Sequence, residues 1–153
     1  MPVLTAGGSG RTEPDHRARQ YVPVPAAPEE VEDLVRRYRS TLMEMHEQRI
    51  EEGGKPRRWN RLVDRLQLLH LGLRTTAEGR RAITAMVSDD NATVRLWSST
   101  FALFWNPAVA RAALERQAAE PASLTSFEAE MTLREFDAGR LNTVWEPKGR
   151  YRR

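Results

Sequence analysis

Apolar residues recur every three to four positions from residue 28 onward, and this spacing predicts amphipathic helices. Pro28 followed by Glu29 and Glu30 is typical of a first helical turn, because proline needs no amide partner there and acids favour the positive end of the helix dipole. The apolar stripe that follows consists of Val31, Leu34, Val35, Tyr38, Leu42 and Met45. We expect this first helix to stop at Gly53-Gly54.

A second helix is predicted to begin near Pro56. Its inward positions are Leu62, Val63, Leu66, Leu69 and Leu73. Thr75 and Glu78 have the spacing of a capping box, in which side chains satisfy free amides at a helix start. They predict a short third helix that is buried through Ala82, Ile83, Met86 and Val87.

The turn Asp89-Asp90-Asn91 is predicted to end the third helix and to cap the fourth. The fourth helix has the densest aromatic stripe of the chain. Its members are Val94, Trp97, Phe101, Phe104 and Trp105. Large rings at helical spacing usually fill a core, so we expect these rings to pack between helices.

Two further helices are predicted after the aromatic stripe. Asn106-Pro107 is a cap followed by a proline at the first helical position. The fifth helix would start at once with Val109, Ala110, Ala113, Leu114 and Gln117, and Pro121 would break it. Thr125 and Glu128 form a second capping-box spacing, and the sixth helix would run through Met131, Thr132 and Phe136 to Gly139.

The sequence thus predicts an all-α fold of about six helices in antiparallel pairs, because short loops force successive helices to reverse direction. Paired helices of this length are typical of a HEAT-like α-solenoid fragment or a right-handed helical bundle. Residues 1–27 are rich in glycine and proline without apolar periodicity, and predict a disordered arm. Residues 28–141 form the predicted helical domain, and residues 142–153 a basic C-terminal tail.

Composition excludes several classes of function. The 153 residues are 40% hydrophobic and 29% charged, with 24 Lys and Arg against 21 Asp and Glu, which gives a formal charge of only +3. The absence of cysteine excludes disulfides, thiol nucleophiles and cysteine-ligated zinc. No apolar run approaches the roughly 20 residues of a membrane span. Without an export signal, the expected location is cytoplasmic.

Candidate chemistry is sparse. His16, His46 and His70 have no partner at metal-ligand spacing, so we expect no metal and no cofactor. His70 lies in an apolar helix and is expected to be hydrogen-bonded and partly buried. Ser98, Ser99 and Thr100 lie within a helix without a basic partner, and no catalytic residue is predicted. The expectation is a protein that is not an enzyme, although a helical glycosylase with one Asp in an aromatic cleft stays open.

From about Asn60 to Leu141 the chain resembles the bacterial domain of unknown function twenty-nineteen, a HEAT-like helical family. The matching features are Asn60, Asp89-Asp90-Asn91, Val94-Arg95, Pro107, Ala110, Arg111, Leu114-Glu115, Ala118 and the stretch from Ala129 to Gly139. The family has no established activity, so the resemblance implies a scaffold without assigned chemistry.

The leading hypothesis is therefore a non-enzymatic scaffold that binds another protein, in the manner of an immunity protein (antitoxin) that neutralises a bacterial toxin. The predicted partner-binding residues are Asp89, Asp90, Trp97, Trp105, Glu115 and Glu128. Nucleic-acid binding is the alternative, and it would use Arg57, Arg58, Arg61, Arg80 and Arg81. The expected state is a monomer or a weak dimer that does not bind membranes.

Overall fold

The computed structural model describes residues 28–49 and 53–147, and every structural statement below concerns those residues. They form six α-helices, without any strand. The bounds are α1 Pro28–Glu47, α2 Pro56–Leu73, α3 Ala77–Ala85, α4 Ala92–Ala102, α5 Pro107–Ala118 and α6 Leu124–Asp137, with a 3₁₀ turn at Met86–Ser88. The predicted all-α class is confirmed. The predicted arm, residues 1–27, lies outside the described residues.

The first two helices are antiparallel. Glu44, near the end of α1, accepts a hydrogen bond from Arg58 at the start of α2. At the opposite end, Gly72 of α2 lies against Leu34 of α1. α4 also runs antiparallel to α1, because His46 contacts Thr93 and Tyr38 contacts Ser98. Both hydrogen bonds join polar atoms inside an apolar layer and fix the register of the two helices.

The last three helices form a second antiparallel set. Gln117 near the end of α5 donates to the carbonyl of Ala92 at the start of α4, with an N–O distance of 2.9 Å. Arg111 near the start of α5 pairs with Asp137 at the end of α6. α4 and α6 therefore both run opposite to α5 and begin at the same end of this set.

Two clusters of buried apolar side chains form the core. The first joins α1 and α2 to Ile83, Val94 and Phe101, and the second lies among α4, α5 and α6 around Leu103, Leu114 and Ala129. Trp97 and Trp105 are partly buried and pack against both clusters. The predicted inward positions of α1 and α2 lie in or against the first cluster, whereas Val109, the first apolar residue named in the predicted fifth helix, is 42% exposed.

The third helix is capped one residue later than predicted. Thr76, not Thr75, accepts the hydrogen bond from the amide of Gly79. Thr75 still belongs to the end of α2, where its hydroxyl donates to the carbonyl of Gly72. α3 approaches α2 so closely that a Cβ at Gly79 would lie 1.9 Å from the Leu73 carbonyl oxygen. The glycine is therefore required for this tight connection.

The sixth helix is also capped by other residues than predicted. Ser123 and Ser126 form the capping box, since each side chain accepts from the other's backbone amide. Glu128, predicted for that role, instead forms a salt bridge to Arg49. Gly139 has a φ of +74° and follows the last turn of α6, which agrees with its prediction as a C-terminal stop.

The aromatic stripe does not lie on one helix. α4 ends at Ala102, and Phe104 and Trp105 lie in the tight turn that leads to α5. The side chain of Phe104 is 42% exposed and meets the edge of Phe136. The prediction of a buried stripe was wrong for Phe104, because the turn carries it off the face defined by Val94 and Phe101. Trp105 also lies outside α4, but it packs against both core clusters, as expected of a core ring.

The segment after α6 packs back on α2. The side-chain amide of Gln67 donates to the carbonyls of Thr143 and Trp145, at N–O distances of 3.0 and 2.8 Å. Arg74 donates to the Thr143 hydroxyl, and Thr143 is buried. Residues 142–147 of the predicted basic tail are thus held by the helical domain, and the rest of that tail lies outside the described residues.

Candidate functional site

An apolar groove of about 300 Å³ opens between α4 and α6. We call it the α4–α6 groove. Its walls are Leu96, Trp97 and Thr100 of α4, the α6 residues Phe127, Glu128, Met131, Thr132 and Glu135, and Leu141 beyond α6. The α6 residues recur at intervals of three to four and so form one face of that helix. Two nearly continuous helical surfaces therefore define the groove.

The aromatic floor of the groove is accessible. Phe127 is 57% exposed, and Trp97 is half-buried with its ring tilted against Phe101. Both acids of the rim are held by arginines. Glu128 accepts from Arg49 at 2.8 Å, and Glu135 accepts two hydrogen bonds from Arg140. The hydrogen bonds from Arg140 hold the pKa of Glu135 below its ordinary value. Salt bridges therefore hold both carboxylates in place at the edge of an apolar surface.

Two predicted partner-binding residues meet in this groove. Trp97 and Glu128 lie on facing walls, although 31 positions separate them in the sequence. Sequence reasoning missed Phe127 and Leu141, and it named Met131 and Thr132 in the sixth helix without assigning them to a face. The buried positions of α6 are Ser126 and Ala129, with Leu133 and Phe136 packed against the core. The sequence does contain a signal for the groove, because the apolar residues of α6 lie on two faces and only one face can pack against the core.

A second cavity, of about 470 Å³, lies beside α3 and the α4–α5 turn. Ala77, Arg80, Arg81, Thr84, Ala85, Trp105 and Asn106 line it, and we call it the arginine pocket. The indole of Trp105 donates to the Thr84 hydroxyl at 3.0 Å, which fixes the ring against α3. Arg80 donates to the carbonyl of Arg74 at 2.8 Å, while Arg81 is exposed.

His70 lies behind the arginine pocket and is completely buried, more deeply than predicted. Nδ1 contacts the Gln67 side-chain oxygen at 3.2 Å, and Nε2 lies 3.0 Å from the guanidinium of Arg74. Since the guanidinium can only donate, Nε2 accepts and the imidazole is neutral. Burial, followed by the positive charge of Arg74, lowers the pKa of His70 to about 3. The predicted hydrogen bonding of His70 is therefore confirmed.

The remaining predicted partner-binding acids are in different environments. Both carboxylate oxygens of Asp89 accept from Arg39, and one also accepts from the amide of Asn91. The hydrogen bonds from Arg39 are the main cause that holds the pKa of Asp89 below its ordinary value. Asp90 and Glu115 are exposed, and Glu115 lies 4.0 Å from Arg111. Asp89 is thus committed to linking α1 to the α4 cap, whereas Asp90 and Glu115 face solvent.

The arginines of the nucleic-acid alternative form two groups. Arg57, Arg58 and Arg61 lie at the start of α2, and Arg58 is paired with Glu44. Arg80 and Arg81 lie on α3, which follows the end of α2. At a rise of 1.5 Å per residue, the 18 residues of α2 span about 27 Å, so the helix separates the groups by most of its length. The structure does not bring the five arginines together in one patch.

Within the described ranges, no group of three or more His, Asp or Glu side chains is arranged to hold a metal ion. His46 instead shares a hydrogen bond with Thr93 at 2.8 Å. His16 lies outside the described residues. None of the helices in those ranges combines the length and hydropathy that crossing a membrane requires.

Comparison with known proteins supports the fold. No protein-family model matches the chain, and neither does any curated protein. The chain is similar to the crystal structure of the protein RPA1889 from Rhodopseudomonas palustris CGA009, with a TM-score of 0.65 and 23% identity over 73% of this chain and 92% of that one. At this identity the likeness shows a shared helical fold. The resemblance to the HEAT-like family stays a prediction.

Proposed function

We propose that the protein is a non-enzymatic binding module whose α4–α6 groove receives an apolar segment of a partner protein. The observation that carries this proposal is the exposure of Phe127 beside Trp97 in an otherwise apolar groove. Aromatic side chains dominate the binding energy of protein interfaces, where a polar rim surrounds a desolvated centre. Glu128 and Glu135 supply such a rim.

The groove suits a partner helix better than a small molecule. Its two walls are faces of α4 and α6, which run in the same direction. The groove is therefore elongated along those two helices. An amphipathic helix that lies in such a groove inserts side chains at intervals of three and four residues. We expect the partner segment to carry apolar anchors at this spacing, with polar residues flanking them at the rim.

The specific form of the proposal is an immunity protein that neutralises a bacterial toxin. It rests on the small helical domain, on the groove, and on Asp90 and Glu115, whose exposed carboxylates are available to steer a basic partner. Trp105, also named as a partner-binding residue, lines the arginine pocket rather than the groove.

Co-expression with the proteins encoded beside its gene tests this proposal. A neighbouring toxin should form a stable complex with the wild-type protein. Phe127→Ser should weaken that complex by about tenfold or more, because it removes an aromatic anchor from the groove. Val144→Ser is the matched control, since Val144 is also 57% exposed and does not line the groove. If no complex forms, the proposed immunity role is wrong. If both variants weaken the complex equally, the α4–α6 groove is not the binding site.

Nucleic-acid binding remains the second candidate. Arg57 and Arg61 are exposed and form no salt bridge within the described residues, which favours phosphate contacts at the start of α2. Such contacts would make duplex binding fall steeply with salt. If a labelled duplex shows no retention at low salt, this candidate is removed. A helical glycosylase would need an Asp in an aromatic cleft, whereas the carboxylates that line the α4–α6 groove are Glu128 and Glu135.

A further inference from the structure

We infer that the arginine pocket is a binding site for a small organic phosphate, independent of the α4–α6 groove. The pocket combines the guanidinium groups of Arg80 and Arg81 with the fixed indole of Trp105 and the small apolar side chains of Ala77 and Ala85. Its volume of about 470 Å³ is within the usual range of ligand sites.

The pocket's positive charge is not compensated by the protein. Most arginines of the described residues form salt bridges: Arg36, Arg37, Arg39, Arg49, Arg58, Arg65, Arg95, Arg111, Arg134 and Arg140. In the same ranges, Arg74, Arg80 and Arg81 form none. Arg80 and Arg81 line the pocket, and Arg74 lies behind it, with its carbonyl bonded by Arg80 and its guanidinium over the Trp105 ring. Glu78 is exposed on the same helix and forms no salt bridge to them within those ranges. Three neighbouring cations without a carboxylate provide the charge that a dianion requires.

The polar contacts around the pocket leave donors available. Arg80 uses one terminal nitrogen to donate to the Arg74 carbonyl, which holds its side chain across the start of α3. A guanidinium carries five N–H donors, so most donors of Arg80 and all those of Arg81 remain for a ligand. Arg74 lies behind them with its guanidinium over the Trp105 ring, 5.1 Å from the ring centroid. Burial and the positive charge of Arg80 lower the pKa of Arg74, which shows that these cations repel one another.

The chemistry of the lining indicates a phosphate on an organic carrier. Guanidinium groups match phosphate oxygens with paired hydrogen bonds, and a phosphate monoester carries nearly two negative charges at neutral pH. Ala77, Ala85 and Trp105 supply apolar walls, and the side chains of Thr84 and Asn106 add polar groups. Inorganic phosphate would leave these walls without contacts, so an organic phosphate should bind more tightly. A nucleoside monophosphate is a suitable probe of that size.

Calorimetric titration with adenosine 5′-monophosphate, inorganic phosphate and adenosine tests this inference at low salt. The monophosphate should bind most tightly, inorganic phosphate more weakly, and adenosine without measurable heat. Arg81→Gln should reduce monophosphate affinity by about tenfold, as expected for one charge-assisted contact. Arg81 is exposed and makes no contact that the fold needs, so circular dichroism should show unchanged folding.

Arg116→Gln is the matched control. Arg116 is exposed on α5 and does not line the pocket, and its substitution changes the net charge by the same amount as Arg81→Gln. It should leave the affinity unchanged. No binding of the monophosphate by the wild-type protein would overturn the inference, as would equal losses in both variants. Binding of a duplex oligonucleotide that depends on Arg81, without monophosphate binding, would also overturn it in favour of the nucleic-acid candidate. The titration does not involve the α4–α6 groove, so it can fail while the groove experiment with Phe127→Ser succeeds, and the reverse.

Discussion

The imidazole of His70 lies flat against the ring of Phe101, with ring centroids 3.6 Å apart and planes 6° from parallel. The contact joins α2 to α4 at the centre of the first core cluster. Gln67, one turn before His70 on α2, and Arg74, just after the end of that helix, bond the two ring nitrogens. A polar ring is thereby accommodated in an apolar layer, because both of its nitrogens have partners.

Acid should destabilise the protein through His70. Its native pKa of about 3 is below the ordinary histidine value of 6.5, so the unfolded chain binds the proton more readily. The stability that this neutral ring contributes is complete above pH 6.5 and is lost as pH falls toward 3, at about 1.4 kcal/mol per pH unit. Urea unfolding at pH 7 and pH 5 should show a loss of about 2 kcal/mol from this residue. In His70→Phe the loss over that interval should be smaller by this amount, and equal losses would contradict the assignment.

Gln67→Leu should release the segment after α6. The substitution leaves the carbonyls of Thr143 and Trp145 without their side-chain donor, which should cost about 1–3 kcal/mol. Limited proteolysis should then cut within residues 142–147 faster than in the wild type. Gln117→Leu is the control, because it removes a similar buried bond to Ala92 at the other end of the molecule. Faster cleavage in both variants would mean that general destabilisation, not local release, is responsible.

Two asparagines that precede helices should differ in importance. Asn91 accepts hydrogen bonds from the amides of Thr93 and Val94, so Asn91→Ala should lower the free energy of unfolding by about 1 kcal/mol. Asn106 has the same position before α5 but makes no side-chain capping bond. Asn106→Ala should therefore change stability by less than about 0.5 kcal/mol. Chemical denaturation of both variants measures the difference, and comparable losses would refute it.

Two glycines should respond to alanine with opposite signs. Gly139 has a φ of +74°, where a side chain is strained, so Gly139→Ala should destabilise the protein by about 1 kcal/mol. Gly72 lies within α2, and a Cβ there would meet the Leu34 Cδ1 at an ordinary 3.6 Å. Gly72→Ala should stabilise the protein by about 0.5–1 kcal/mol, because alanine loses less entropy in a helix. Thermal unfolding midpoints should move in opposite directions, and a shared direction would contradict this account.

The sequence predicted the helices well where local chemistry determines their ends. Pro56 and Pro107 begin helices because proline fixes φ and needs no amide partner at that position. The caps at Thr76 and Ser123 were mispredicted because neighbouring residues had equally good hydroxyl groups. The choice between them depends on contacts from other helices, such as the approach of α3 to Leu73 and the salt bridge between Arg49 and Glu128.

The candidate sites were only partly predictable, since they depend on which faces remain uncovered. Trp97 and Glu128 were identified as single residues, but their meeting across the groove follows from the packing of α4 beside α6. Trp105 was grouped with Trp97, whereas the turn after Ala102 directs it to the arginine pocket. Arg80 and Arg81 were assigned to a surface with Arg57, and the length of α2 separates them. Periodicity identifies the apolar face of each helix but does not say which other helix packs against that face.

Trp97 and Trp105 each contact both core clusters, so neither half of the described domain has a complete interior of its own. If the chain were divided in the turn before α4, the first fragment would lack Ser98 and Phe101, which contact Tyr38 and His70. The second fragment would expose the indoles of Trp97 and Trp105 to water. Such fragments should remain unstructured alone and regain the native helices when mixed. This behaviour would make the molecule a natural scaffold for split-reporter complementation.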